Sequence, residues 1–164
     1  MNYKPSELVP FTFKDTGITV LIRKVSPLLA MELQRAFPPP KPPMNEVDFG
    51  DGVKRMEPNE ADPAYLRDMD KYNQDFELKM RRMLIKRGVA LEITEEIKEQ
   101  VEDLRSFWLE EYGIEFPEPD DKMAFVWYVA VGTDQDLREL LEAIMRRSQP
   151  TQEAEELARK TFPD

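Results

Sequence analysis

The spacing of apolar positions changes several times along this chain, and each change marks an element. Phe11-Thr12-Phe13 and Ile18-Thr19-Val20-Leu21-Ile22 flank Lys14-Asp15-Thr16-Gly17. β-Branched and aromatic residues on either side of an Asp/Gly turn predict a β-hairpin. Ser26-Pro27 then reads as an N-cap followed by a first helical position. A short helix to Ala36 follows, with Leu28, Leu29 and Leu33 as its apolar side, and Phe37-Pro38 stops it.

From Pro38 to Pro63 the pattern is set by proline instead. Seven of the 14 prolines lie here, beginning Pro38-Pro39-Pro40-Lys41-Pro42-Pro43. Proline fixes φ and removes a backbone donor, which predicts a semi-rigid extended arm. Within it, Glu46-Val47-Asp48-Phe49 and Val53-Lys54-Arg55-Met56 flank Gly50-Asp51-Gly52, the pattern of a second, small hairpin. Asp48 and Asp51 imitate a calcium loop but lack its regular oxygen ligands and distant Glu, so the turn is the expected role.

Helical spacing takes over after Asp62-Pro63, an expected cap and start. Tyr65, Met69, Tyr72, Phe76, Met80 and Met83 step by three or four and form one amphipathic stripe over 63–87. Lys86 and Arg87 suit the helix C-terminus and Gly88 the C′ position. Met and aromatic residues adapt to irregular partners, so the stripe is a candidate groove; packing into the core is its commoner use. Thr94 caps the next helix, with stripe Ile97, Val101, Leu104, Trp108 and Tyr112, ended by Gly113.

Met123 to Val131 is the longest apolar run. Its composition favours strand and its flanks favour helix; we read it as a buried helix opened by Asp120 or Asp121. Thr133 and Asp136 have capping-box spacing. They open a helix to about Arg147 with Leu137, Leu140, Leu141 and Ile144 inward. A last short helix is expected from Pro150-Thr151 to Lys160.

The fold expected is mainly α (α+β). It has the N-terminal hairpin and short helix (1–37), the proline-rich arm with its small hairpin (38–63), a helical core (64–150) and a C-terminal helix or tail (151–164). Four to five helices would pack around Trp108, Phe125, Trp127 and Leu141.

Composition narrows the chemistry. The 164 residues contain no Cys and no His. That excludes disulfides, zinc-thiolate sites, and every nucleophile paired with an imidazole. Only carboxylate, Lys or Tyr chemistry is left, and no cofactor site is expected. Lack of cysteine fits a reducing cytosol. The N-terminal Met-Asn-Tyr-Lys-Pro-Ser-Glu has no apolar signal run, and the longest apolar run falls far short of the ~20 residues of a membrane span.

The net charge of −10 disfavours nucleic acid as a partner. Residues 92–121 hold twelve acids against two bases, an excess equal to that net charge. Residues 64–87 are reversed, with seven bases against four acids. The two segments can pair with each other or present two solvated faces.

Several stretches in order resemble the tail assembly chaperones of long-tailed, non-contractile phages. They are Ile22-Arg23-Lys24-Val25-Ser26-Pro27-Leu28-Leu29, Phe37-Pro38-Pro39-Pro40-Lys41-Pro42-Pro43, Glu57-Pro58-Asn59-Glu60-Ala61-Asp62-Pro63, Gly132-Thr133-Asp134 and Arg146-Arg147-Ser148-Gln149-Pro150-Thr151. The likeness is one of segment order over most of the chain, and none of the pieces is a catalytic signature. It implies a non-enzymatic protein of the host cytoplasm, absent from the mature virion. Such a protein binds the long helical tape measure protein and keeps it soluble until tail tube subunits displace it. In many relatives a frameshift yields a longer second product whose extension recruits tube protein; this chain would be the shorter product.

The residues expected to touch a partner are Tyr72, Phe76, Met80 and Met83 of the stripe, then Phe37 and Phe49 of the arm, each with core packing as the alternative. Self-association through the arm is a further expectation. Two other functions compete. One is a structural virion protein for tail completion or connection. The other is a carboxylate enzyme using Asp134 and Asp136, which helix capping explains more simply.

Overall fold

A computed structural model describes residues 7–149 and Lys160. Among these residues, five α-helices and small antiparallel strand pairs make the mainly helical α+β fold expected from the sequence. The chain forms two compact units: Met1–Pro27 with Arg82–Asp164, and Leu28–Arg81. The expected last helix, 151–160, lies outside the described residues apart from Lys160. No helix among the described residues is long and apolar enough to cross a membrane.

In the first unit, β1 (Val9–Thr12) and β2 (Thr19–Ile22) form the N-terminal hairpin, in register Val9 to Ile22 and Thr12 to Thr19. Gly17 sits at φ 72°, the left-handed conformation that the turn needs and glycine adopts freely. β2 alternates exposed and buried residues, so Val20 and Ile22 enter the core and Leu21 does not. A two-residue strand, β5 (Val89–Ala90), adds to the other edge of β2. The sequence pattern does not announce β5, because two residues carry no periodicity.

α2 (Pro63–Gly88) runs straight into β5, and its residues from Arg82 onward belong to the first unit. This corrects the role expected of Gly88. It is a helical residue rather than a left-handed C′ cap, and it is not among the glycines with positive φ. Glycine is required there by packing: a Cβ would come within 2.7 Å of the Ile144 side chain. The carbonyls at this helix end are met by cations, as the macrodipole favours. Lys122 Nζ donates to the carbonyls of Lys86 (2.7 Å) and Val89 (3.0 Å), and Arg23 Nε donates to that of Arg87 (2.6 Å).

α3 (Glu95–Tyr112) starts at Thr94, whose Oγ1 accepts from Ile97 N, and stops at Gly113 in the left-handed conformation, both as the sequence predicts. Asp120 caps α4 (Asp121–Phe125), which continues as a π-helical turn over Val126–Ala130 closed by Val131 N to Val126 O at 3.0 Å. The segment read as a buried helix is therefore helical, and Met123, Ala124, Phe125, Val126 and Ala130 are buried. α5 (Asp134–Ser148) supplies Leu137, Leu140 and Ile144.

The core of this unit is Phe13, Val20, Ile22, Ile85, Val89, Val101, the Met123–Val126 run and the α5 residues. Of the four residues expected at its centre, only Phe125 is buried. Trp108, Trp127 and Leu141 are half-buried, and Tyr112 at the end of the α3 stripe is exposed. Large aromatic rings with a polar atom sit at the margin of this core, where that atom reaches water.

In the second unit, α1 (Leu29–Ala36) begins two residues later than expected. Its N-cap is Leu28, which makes no side-chain cap bond, so Ser26-Pro27 does not open the helix. Leu29 and Leu33, four residues apart on one face, are buried, and Leu28 at the N-cap is exposed. β3 (Met44–Asp48) and β4 (Lys54–Pro58) pair from Met44–Pro58 to Asp48–Lys54, the hairpin predicted inside the arm. Every residue of this hairpin except the half-buried Val47 is exposed. Asp62 Oδ2 accepts from Tyr65 N at 3.0 Å and so caps α2 as expected.

Candidate partner-binding surface

The end of α1 and the middle of α2 build one pocket within the second unit. Phe37 leaves the helix outside the α region (φ −127°, ψ 78°), which a following proline disfavours. Tyr72 and Phe76 are four residues apart on α2 and so share a face. Their rings stack with centroids 5.6 Å apart. Tyr72 Oη donates to the Phe37 carbonyl at 2.8 Å, and Lys79 Nζ lies 4.8 Å from the Phe37 ring centroid. With Ala36, Pro38 and Asp75 these residues line a pocket of about 270 Å³.

The pocket has an aromatic wall, a proline edge and two charged residues at its rim. It can take one large apolar side chain, the kind of knob an amphipathic helix presents. Phe37 is 45% exposed, which leaves much of its ring available. Three of the six predicted contact residues, Phe37, Tyr72 and Phe76, thus converge. Met80 is half-buried further along α2 and does not line the pocket; Met83 is half-buried and belongs to the first unit. Phe49 is exposed beyond the end of β3, where the Arg55 guanidinium stands 5.3 Å from its ring centroid. Lys79 and Asp75 were missed because they are charged; their signal is helical spacing, Lys79 three residues after Phe76 and seven after Tyr72, Asp75 three after Tyr72.

The carboxylates singled out in the sequence do not form a common site. Asp134 is exposed in the first turn of α5, and Asp136 is buried. Thr133 Oγ1 accepts from Asp136 N at 3.1 Å, so the capping-box threonine acts as expected. The Asp136 side chain does not reach back to complete the box. Its Oδ1 accepts from Lys14 N at 3.2 Å, which ties the β1–β2 turn to α5. Asp48 and Asp51 accept from Gly50 N (2.9 Å) and Val53 N (3.0 Å), the role of turn residues. No group of three or more acidic side chains suited to a metal ion occurs among the described residues.

The two oppositely charged segments meet at one ion pair. Arg82 binds Glu118, whose carboxylate is almost wholly buried and also accepts from Asp120 N at 3.2 Å. Lys122 has its pKa lowered, first by burial and then by the nearby Arg23 and Lys86 cations, which outweigh Asp120. Glu139 has its pKa lowered by the hydrogen bond from Lys14 Nζ at 3.0 Å, with Gln135 adding to it.

No family model matches the chain, and no curated protein and no solved structure matches it either.

Proposed function

We propose that this protein is a tail assembly chaperone of a long, non-contractile-tailed phage, a non-enzymatic protein that binds the tape measure protein and keeps it soluble before the tube polymerises. The observation that carries this reading is the Phe37–Tyr72–Phe76 pocket. Three of the six residues expected to touch a partner line it, and it suits the apolar knobs of a long helical client. The order of segments along the chain supports the same reading. The chaperone acts in the host cytoplasm and leaves before the virion matures. A frameshifted longer product would recruit the tube protein.

Co-expression with the tape measure protein encoded nearby tests this, followed by size-exclusion chromatography with light scattering. The expected result is a soluble complex that Phe76→Ala with Tyr72→Ala weakens. A tape measure protein that stays insoluble, with an unchanged elution of this chain, sinks the proposal. Finding the chain in purified particles by mass spectrometry assigns it instead to the structural proteins of the tail.

A further inference from the structure

A second apolar surface lies on the other compact unit. Along α3, Glu102, Ser106 and Leu109 follow one another at helical spacing and form one wall of an open groove. The segment from Glu115 to Pro119 forms the other, and the groove encloses about 820 Å³. Phe116 is buried at its base and belongs to an aromatic cluster, with ring centroids 5.4 Å from Trp108 and 4.7 Å from Tyr128. Around the same helix end Leu109 is 59% exposed, Tyr112 60% and Ile114 53%. Three exposed apolar side chains within six residues, one of them in the groove wall, mark an interaction surface rather than ordinary scatter.

Charge selects the occupant. Arg105, the only base lining the groove, is already held by Glu102 (2.7 Å), Asp121 (2.8 Å) and the Pro119 carbonyl (3.1 Å). Lys98, the other base of residues 92–121, is held by Glu95 at 2.8 Å. Glu102 and Asp121 share that one guanidinium, and Glu115, which also lines the groove, has no ion-pair partner among the described residues. The apolar surface is therefore rimmed by uncompensated negative charge. From Glu102 to Leu109 the helical wall is about 10 Å long, two turns of a facing helix.

We infer that this groove binds a basic amphipathic helix, a segment of a partner protein with an apolar stripe flanked by Lys or Arg. The stripe covers Leu109 and the groove base, and the flanking cations meet Glu102 and Glu115. This inference does not rest on the chaperone reading, since the groove shares no residue with the Phe37–Tyr72–Phe76 pocket.

The test uses the full chain and three labelled synthetic peptides of about 18 residues, five helical turns. One is a Leu/Lys amphipathic helix, the second its Leu/Glu counterpart, and the third a Lys/Gly/Ser peptide of equal charge without a stripe. Fluorescence anisotropy should show binding of the Leu/Lys peptide only, with Trp fluorescence responding and affinity falling as salt rises. Leu109→Lys with Glu115→Lys, both at exposed positions, should weaken binding roughly tenfold or more while circular dichroism stays unchanged. Asn73→Ala, at an exposed position that lines neither the groove nor the Phe37–Tyr72–Phe76 pocket, should leave the affinity as it is. Equal binding of either control peptide overturns the inference, as does an affinity that the double variant leaves unchanged. Concentration-dependent self-association removed by the double variant also overturns it, by giving the groove to a second copy of the chain.

Discussion

Replacing Gly88 by alanine pits two effects of known sign against each other. Gly88 is the last residue of α2 and its φ is not positive, so alanine fits the backbone. On propensity alone, Ala in a helix gains up to about 1 kcal/mol over Gly. The new methyl, however, would stand 2.7 Å from Ile144 Cγ2, 2.9 Å from Cδ1 and 3.1 Å from Cγ1. Ile144 is fully buried on α5, and a β-branched side chain on a helix has one strongly preferred χ1, so it cannot swing aside. Overpacking of this kind costs about 1–3 kcal/mol. The clash outweighs the propensity gain, and we expect Gly88→Ala to lose about 1–2 kcal/mol. Urea unfolding followed by Trp fluorescence reads this directly, because Trp108 and Trp127 both belong to the unit that holds Gly88 and Ile144. A double-mutant cycle isolates the cause. Ile144→Ala alone should cost about 2–5 kcal/mol, and in the Gly88→Ala background it should cost about 1–2 kcal/mol less. A stabilised Gly88→Ala, or an additive cycle, would refute the close-packing account.

Thr133→Ala removes the cap that accepts from Asp136 N and should cost the first unit about 1 kcal/mol in the same urea assay. Arg82→Met leaves the buried Glu118 carboxylate with one partner fewer; we expect a loss of about 1–3 kcal/mol, below the cost of breaking a fully buried pair because Arg82 is half exposed. Converting both residues to Met should recover part of that loss, and a double variant worse than Arg82→Met would contradict the desolvation argument. Lys14→Met tests the Lys14–Glu139 pair through pH. The folded pKa of Glu139 lies below its ordinary 4.5, so its stabilising contribution is present above 4.5 and lost as pH falls through the folded value. Thermal melts between about pH 7 and pH 2 should show wild type ahead of the variant at neutral pH and the difference vanishing in acid; a gap that persists in acid would assign the effect to packing.

Local chemistry made much of this fold legible. Asp/Gly turns marked both hairpins, Thr94, Thr133 and Asp62 each cap the helix they were expected to cap, and of the two candidates Asp120 and Asp121 it is Asp120 that caps α4. Gly113 is the left-handed stop that its position predicts. Of the candidate site, the four-residue step from Tyr72 to Phe76 was legible because both lie on one helix. Their meeting with Phe37 joins residues 35 apart in sequence, and no local period encodes that.

The sequence alone determined the kind of most elements and much of their punctuation, because caps, turns and amphipathic periods act over a few residues. It also determined the excess of acid in 92–121 and the absence of any thiol or imidazole chemistry. Tertiary structure alone decided which apolar residues are core. Phe13, Ile85 and Val101 are buried, whereas Trp108, Trp127 and Leu141 stay at the margin. It alone paired Val89–Ala90 with β2, sent the Asp136 carboxylate to Lys14 rather than back to Thr133, and made Gly88 a packing requirement instead of a cap. Each of these depends on contacts between segments distant in sequence, and such contacts are fixed by the shape of the whole core rather than by any local pattern.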